Sequence, residues 1–270
     1  ADDGTCDYES IEQGNVFFSE YAEGTSNNKY LEFYNGDDEA VDLGNYQYVQ
    51  CSNGCTEWEY SKDFCATFDD TNEDGDWDGS ETCTATPVLQ PGDVFTICHK
   101  DADDDITVLC DLLVTLYHNG DDTQGLVFTP TNTLLDIIGT LGDDPGSGWD
   151  VAGTTNGTKD YTLVRKSTVT SGNTDWDLSA GTNTDDSEWV VTEKASADHV
   201  PPTLGSHPHD FASTCDDADA CNYLEEGDCT FAQEGYDCDG NLLVSVTFNV
   251  DMSQETVDTE GYGLDLYMDD

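Results

Sequence analysis

The sequence predicts an all-β chain closed as a sandwich or barrel, and three observations carry that expectation. Short runs rich in Val, Ile, Tyr, Phe and Trp recur along positions 15–200. Turn residues such as Asn-Gly, Gly-Asp and Pro-Gly bound them, as strand boundaries require. Apolar periodicity of the helical kind is nowhere sustained. Spaced strands without helices bury their apolar faces by packing sheet on sheet.

In chain order the predicted strands are Val16–Tyr21, Tyr30–Tyr34, Tyr46–Gln50, Val94–His99, Ile106–Leu116, Leu134–Ile138, Tyr161–Lys166 and Trp189–Thr192. Leu134–Leu141 fits a buried strand or a short helix, and its pattern does not separate them. Three segments break the series. Residues 51–87 are an acidic, cysteine-bearing insertion. Residues 195–214 read as a linker stiffened by Pro201-Pro202. Residues 215–241 carry cysteines and acids but few apolar residues, so order there needs disulfides or metal. Beyond them Val244–Val250 alternates as a strand and Tyr262–Met268 is a second candidate. Two strands do not make a stable domain, so these are expected to open a further β-module that continues past this sequence.

Fifty-nine acidic against seven basic residues give a formal net charge of -52. Nucleic acid and anionic membranes would be repelled, and the absence of a long apolar run argues against membrane insertion. The same charge opposes compaction, so the fold calls for salt screening or bound cations. Eleven cysteines point to an oxidising compartment. Nearest-neighbour pairing would join Cys51 with Cys55, Cys65 with Cys83 and Cys98 with Cys110, leaving a cluster of Cys215, Cys221, Cys229 and Cys238 whose connectivity spacing does not fix. Zinc is the rival use, but no CxxC is present. The odd cysteine is expected to be Cys6, free, reshuffled or bonded to another molecule. The opening Ala-Asp-Asp-Gly has no leader features, which fits a signal peptide already removed and a secreted, extracellular or cell-surface protein.

Residues 70–81 carry the most specific motif. Asp70, Asn72, Asp74, Asp76, Asp78 and Glu81 fall at positions 1, 3, 5, 7, 9 and 12 of a twelve-residue calcium loop, with Gly75 at the sharp turn. Calcium takes six to eight hard oxygens, and this spacing wraps them round one ion. Trp77 sits at position 8, where an apolar residue packs beneath the ion. A merely solvated acidic loop is the competing reading in so acidic a chain. No amphipathic helix flanks the loop, so a helical calcium sensor is not implied.

Val16–Asn35 (VFFSEYAEGTSNNKYLEFYN), Val41–Tyr46, Leu89–Val94, Asn119–Asp122, Ile137–Gly139, Asp144–Trp149, Thr162–Lys166 and Leu204–His207 occur in the order found in the lamin-tail domain of secreted bacterial proteins, which residues 15–207 therefore resemble. The resemblance implies an immunoglobulin-like β-sandwich and an interaction or scaffold module of the kind appended to nucleases, other hydrolases and surface proteins. It divides the chain into an N-terminal segment (1–14), the sandwich (15–207), a linker (208–214), the cysteine module (215–241) and the further β-module (242–270). The stretch 215–241 resembles an acidic cysteine repeat of large secreted proteins of marine Bacteroidetes. Asp217, Asp219, Glu226 and Asp228 are candidate ligands of a second metal there, although their order fits no loop template.

Signatures of catalysis are missing from the sequence. It has no Gly-x-Ser-x-Gly elbow, His-Glu-x-x-His helix or phosphate loop. Acid pairs are too many to nominate a glycosidase dyad. His207 and His209 fit a flexible connector better than a metal pair, and His99 and His118 fit packed or turn positions. Trp149 and Trp189 read as core, with Trp58 and Trp176 as candidates for exposed contact. The expectation is a non-catalytic, calcium-stabilised structural or adhesive protein of a surface filament or matrix, with self-association, other surface proteins or glycans as partners. The alternative is a targeting region of a larger secreted hydrolase such as a nuclease.

Overall fold

The structure, a computed structural model, describes residues 12–78, 80–209, 220–221, 230–233, 235–238 and 240–242. Its strands are β1 (Val16–Glu23), β2 (Lys29–Asn35), β3 (Val41–Asp42), β4 (Tyr46–Cys51), β5 (Tyr60–Asp63), β6 (Thr67–Asp69), β7 (Thr82–Ala85), β8 (Val88–Leu89), β9 (Val94–His99), β10 (Leu112–Val114), β11 (Thr123–Phe128), β12 (Thr133–Ile138), β13 (Tyr161–Arg165) and β14 (Trp189–Glu193), with short helices α1 (Asp104–Thr107) and α2 (Trp176–Ala180). One sheet runs β10-β9-β2-β1-β13-β14 and a second runs β12-β11-β4-β5, with β3-β8 and β6-β7 as separate pairs. Pairing within the two large sheets is antiparallel except between β9 and β10. This is the all-β, immunoglobulin-like sandwich that the sequence predicts.

Side-chain alternation fixes which face each strand buries. On β2, Leu31 and Phe33 enter the main core while Tyr30 belongs to a second cluster. Strand β1 changes phase at a bulge, where its register with β2 shifts between Phe18 and Glu20. Phe18 and Tyr21 consequently both reach the main core, and Glu20 and Ala22 turn to the other face. Tyr46, Tyr48, Leu126, Phe128 and Ile138 complete the main core from the facing sheet.

The chain's one arginine ties the sheets together. Arg165 on β13 is fully buried and pairs with Asp136 on β12 through Nη2 and with Glu188 through Nη1 at 2.6 Å. Its Nε donates to the Phe18 carbonyl at 3.0 Å, and its guanidinium stacks 4.0 Å from the Trp189 ring. Asp136 also accepts the backbone N–H of Phe18 at 2.9 Å and of Asn173 at 3.0 Å. Burial raises the Asp136 carboxyl, while Arg165 and these N–H groups pull it back.

Several sequence expectations change. Ile106–Leu116 is not one strand: the acidic start Asp104-Asp105 begins α1, and only Leu112–Val114 pairs in the sheet. Leu134–Ile138 is strand rather than helix. Residues 195–209 do not hang as a linker. They pack on the outer face of the six-stranded sheet, with Ala195, Val200 and Leu204 joining Ala22, Tyr30, Cys98 and Ile106. The approach is close: the Thr25 N–H donates to the Ala195 carbonyl at 2.9 Å, and a Cβ on Gly24 would lie 2.3 Å from that oxygen.

Contacts divide the chain at residue 211 into two units. In the second, Cys221 and Cys238 are bonded, Asp237 accepts from the Asn241 N–H at 2.8 Å, and Tyr236 bridges to Leu242. The strands expected at Val244–Val250 and Tyr262–Met268, the candidate ligands Asp217, Asp219, Glu226 and Asp228, and the cysteines Cys6, Cys215 and Cys229 lie outside the described residues.

Candidate metal centre

The candidate loop 70–81 connects β6 to β7, a hairpin closed at its base by a disulfide between Cys65 and Cys83. Two further disulfides, Cys51–Cys55 and Cys98–Cys110, follow the nearest-neighbour pairing. Within the loop, acidic side chains fold back on the backbone. Asp70 accepts the N–H of Asp74 at 3.2 Å and of Gly75 at 2.9 Å. Asn72 accepts Asp74 N–H at 3.3 Å, Asp74 accepts Asp76 N–H at 3.2 Å, and Asp78 accepts Ser80 N–H at 2.7 Å. Gly75 takes a φ of 79°, the left-handed conformation that the sharp turn demands.

Two of the candidate ligands differ from the rest in being buried. Glu81 accepts the Asp78 N–H at 3.4 Å through Oε2, while its buried Oε1 has no hydrogen-bond partner. Asp76 directs its carboxylate to Lys100, 3.1 Å away. Position 7 of such a loop offers its backbone carbonyl to the ion, so Asp76 is assigned to the site through its main chain. Hydrogen bonds from the Asp76 side chain and N–H lower Asp74, and burial raises Asp76. Asp78 is lowered by its bonds from Ser80.

The donor chemistry fits a hard divalent cation: every candidate is an oxygen ligand, and Glu81 holds one buried oxygen unsatisfied. Gathering is a different matter. Among the described residues no three His, Cys, Asp or Glu side chains converge as a metal-holding group. The loop's turns are formed and its carboxylates are distributed along them.

Trp77 connects the loop to the sandwich. It is buried in the main core, its ring lies 5.4 Å from that of Phe68, and its N–H donates to the Leu113 carbonyl of β10 at 2.7 Å. The position-8 expectation therefore has a structural partner that sequence could not name, the edge strand of the six-stranded sheet.

A family model described as the lamin tail domain matches residues 9–141. That stretch is therefore similar to the lamin tail domain. The matched span is shorter than the 15–207 of the sequence resemblance, yet it includes the hairpin and its loop. Strands β13 and β14, which complete the six-stranded sheet, follow it. A solved DUF4876 family protein from Bacteroides thetaiotaomicron VPI-5482 is similar at 9% identity and a TM-score of 0.35, over 73% of this chain and 75% of that one. No curated protein matches the chain.

The other candidates resolve into packing. His207 is buried edge-on against Tyr34, 4.7 Å between centroids, and burial lowers it to about 4. Nε2 of His209 lies 2.6 Å from the Ser206 carbonyl. Nδ1 of His99 accepts the Asp101 N–H at 3.0 Å, a turn role, and His118 is fully buried against Tyr21. Trp176, expected as an exposed contact, is buried at the start of α2 and meets Trp149 edge-on. Trp58 is half-buried over β11, where a Cβ on Gly125 would lie 2.7 Å from its ring.

Proposed function

We propose that this chain is a secreted, non-catalytic structural or adhesive β-module whose hairpin loop binds calcium, and that it acts in a surface or extracellular assembly through self-association or contact with other surface proteins or glycans. The lamin tail domain supplies the general part, a structural or binding β-domain. Disulfides among the described residues suit an oxidising exterior, and no helix among those residues is long and apolar enough to cross a membrane.

The observation that supports the calcium reading most is the attachment of the loop to the body of the fold. Asp70, Asn72, Asp74, Asp78 and Glu81 would hold the ion with side-chain oxygens and Asp76 with its carbonyl. An ion there would draw together and neutralise the loop's carboxylates beside Trp77, which is bonded to β10 and sunk in the core. Occupancy thus stiffens the sheet edge as well as the hairpin.

Thermal unfolding with calcium and with chelator tests this. Free ion at about a thousandfold over Kd adds roughly 4.1 kcal/mol to the native state. The melting temperature should fall on chelation, and Glu81→Gln should remove most of the difference. Equal melting temperatures in both conditions would remove calcium from the proposal. Light scattering in the same two conditions tests association: a calcium-independent monomer would leave only the general β-module.

A further inference from the structure

The outer face of the six-stranded sheet holds two acids where a solvated face would be expected. Glu20 on β1 and Glu32 on β2 are directly opposite in the register, and both side chains are fully buried. Like charges opposite one another in a sheet repel, and burial without counter-charge penalises ionisation further. Glu20 accepts from the Tyr30 hydroxyl through Oε1, and its Oε2 has no partner. Glu32 accepts from the Ser19 hydroxyl at 2.7 Å and from the Gly205 N–H at 2.7 Å. The groups acting on the pair are Tyr30 and Ser19 from the two strands, Thr203 and Gly205 from the covering segment, and Asp111 from the turn before β10, with no lysine, arginine or histidine among them. The titratable neighbours Tyr30 and Asp111 are themselves raised by burial.

Gly205 belongs to the segment 195–209 that covers this face. Its N–H bond to Glu32 is a polar tie between cover and sheet, accompanied by the apolar contacts of Ala195, Val200 and Leu204.

We propose that residues 195–209 form a proton-controlled strap: it seals the outer face of the six-stranded sheet while Glu20 and Glu32 retain protons, and it lifts when both carboxyls release them to solvent. Lifting hydrates the carboxylates and separates nothing covalently. It uncovers Tyr30, Ala22 and the neighbouring apolar surface of β9, so the pH of the surroundings sets whether this face is available for contact. Burial supports the direction, raising Glu20 to about 7 and Glu32 to about 8 from an ordinary 4.5. The strap is independent of the calcium loop.

Hydrogen exchange on the whole chain, at constant calcium and corrected for intrinsic rates, tests the proposal. Below about pH 6.5 the buried His207 of the strap opposes this trend, because opening lets it take up a proton. It is therefore between about pH 6.5 and pH 8 that the opening of 195–209 should rise, by up to roughly tenfold per pH unit for each proton released, then level off, while β4 stays unchanged. A Glu20→Gln/Glu32→Gln variant keeps the hydrogen-bond acceptors and should flatten the rise. A flat profile in the natural protein, or the same rise in the variant, overturns the strap. If the variant does not fold, infrared difference spectra of the natural protein decide. A protonated-carboxyl band at pH 7 that disappears as the strap opens supports the proposal, and its absence overturns it.

Discussion

The two faces of the six-stranded sheet bury acids in opposite ways. Toward the partner sheet, Asp136 meets Arg165 and two backbone N–H groups, so its charge is matched inside the fold. Toward the covering segment, Glu20 and Glu32 meet hydroxyls, one backbone N–H and each other. In a chain with 59 acids and 7 bases, most carboxylates have no cation to pair with, and burial must be met by one of the few bases, as it is by Arg165 at Asp136, or by a proton. The first solution is a fixed tie; the second depends on pH.

The largest effect expected from this contrast is on the paired side. Asp136→Ala leaves the Arg165 guanidinium buried with only Glu188 as a charged partner, and removal of one member of a buried pair costs about 3–5 kcal/mol. Denaturant unfolding measures it. Asp136→Asn, which keeps one acceptor oxygen for either the Phe18 or the Asn173 N–H, should lose less. Equal losses would assign the tie to charge alone, and a loss under about 1 kcal/mol, the scale of a surface pair, would remove it from a central role.

The unpaired side should show in the pH dependence of global stability. Glu20 and Glu32 bind protons more tightly folded than unfolded, so their contribution is fully present below about 4.5 and is lost as pH rises through about 7 and 8. His118 acts at the other limb. Burial lowers it from 6.5 to about 3, so its contribution is present above 6.5 and lost as pH falls toward 3. General acidic repulsion also weakens the fold as pH rises, so the informative quantity is the difference between natural protein and Glu20→Gln/Glu32→Gln. That difference should grow between about pH 4.5 and 8 and stay constant above. A constant difference throughout would mean the acids titrate normally.

What the sequence disclosed follows the same division. Strands whose apolar residues alternate or cluster, such as Val16–Tyr21 and Val94–His99, were legible because their pattern is the physical cause of their burial. Strand β11 was not, because Gly125 interrupts Thr123–Phe128 and reads as a turn; it is glycine because Trp58 lies against it. The calcium loop is legible as a spacing of oxygens, while its attachment through Trp77 to Leu113 joins residues far apart in the chain. Nothing local in the sequence marks Glu20 and Glu32 as buried. Only the return of 195–209, itself resembling a linker for its prolines and small residues, makes them buried. Cover supplied from a distant segment has no local signature.

The smallest expected effect separates local order from the cross-sheet tie itself. Helix α2 begins at Asp175, whose side chain accepts the Leu178 N–H at 3.3 Å. The helix carries Ser179, whose hydroxyl oxygen accepts from Arg165 at 3.0 Å and from the Trp189 indole at 2.9 Å and donates to Glu188 at 2.8 Å. Losing an N-cap typically costs about 1 kcal/mol, so Asp175→Ala should be mild, whereas Ser179→Ala strands two buried donors at roughly 1–3 kcal/mol each. Combining each with Arg165→Met in a double-mutant cycle distinguishes their roles. Ser179→Ala should couple strongly to Arg165→Met, because the guanidinium that needed the hydroxyl is gone, and Asp175→Ala should add independently. Strong coupling of Asp175 would instead mean that the helix turn itself, rather than the Ser179 hydroxyl alone, holds the arginine in place between the sheets.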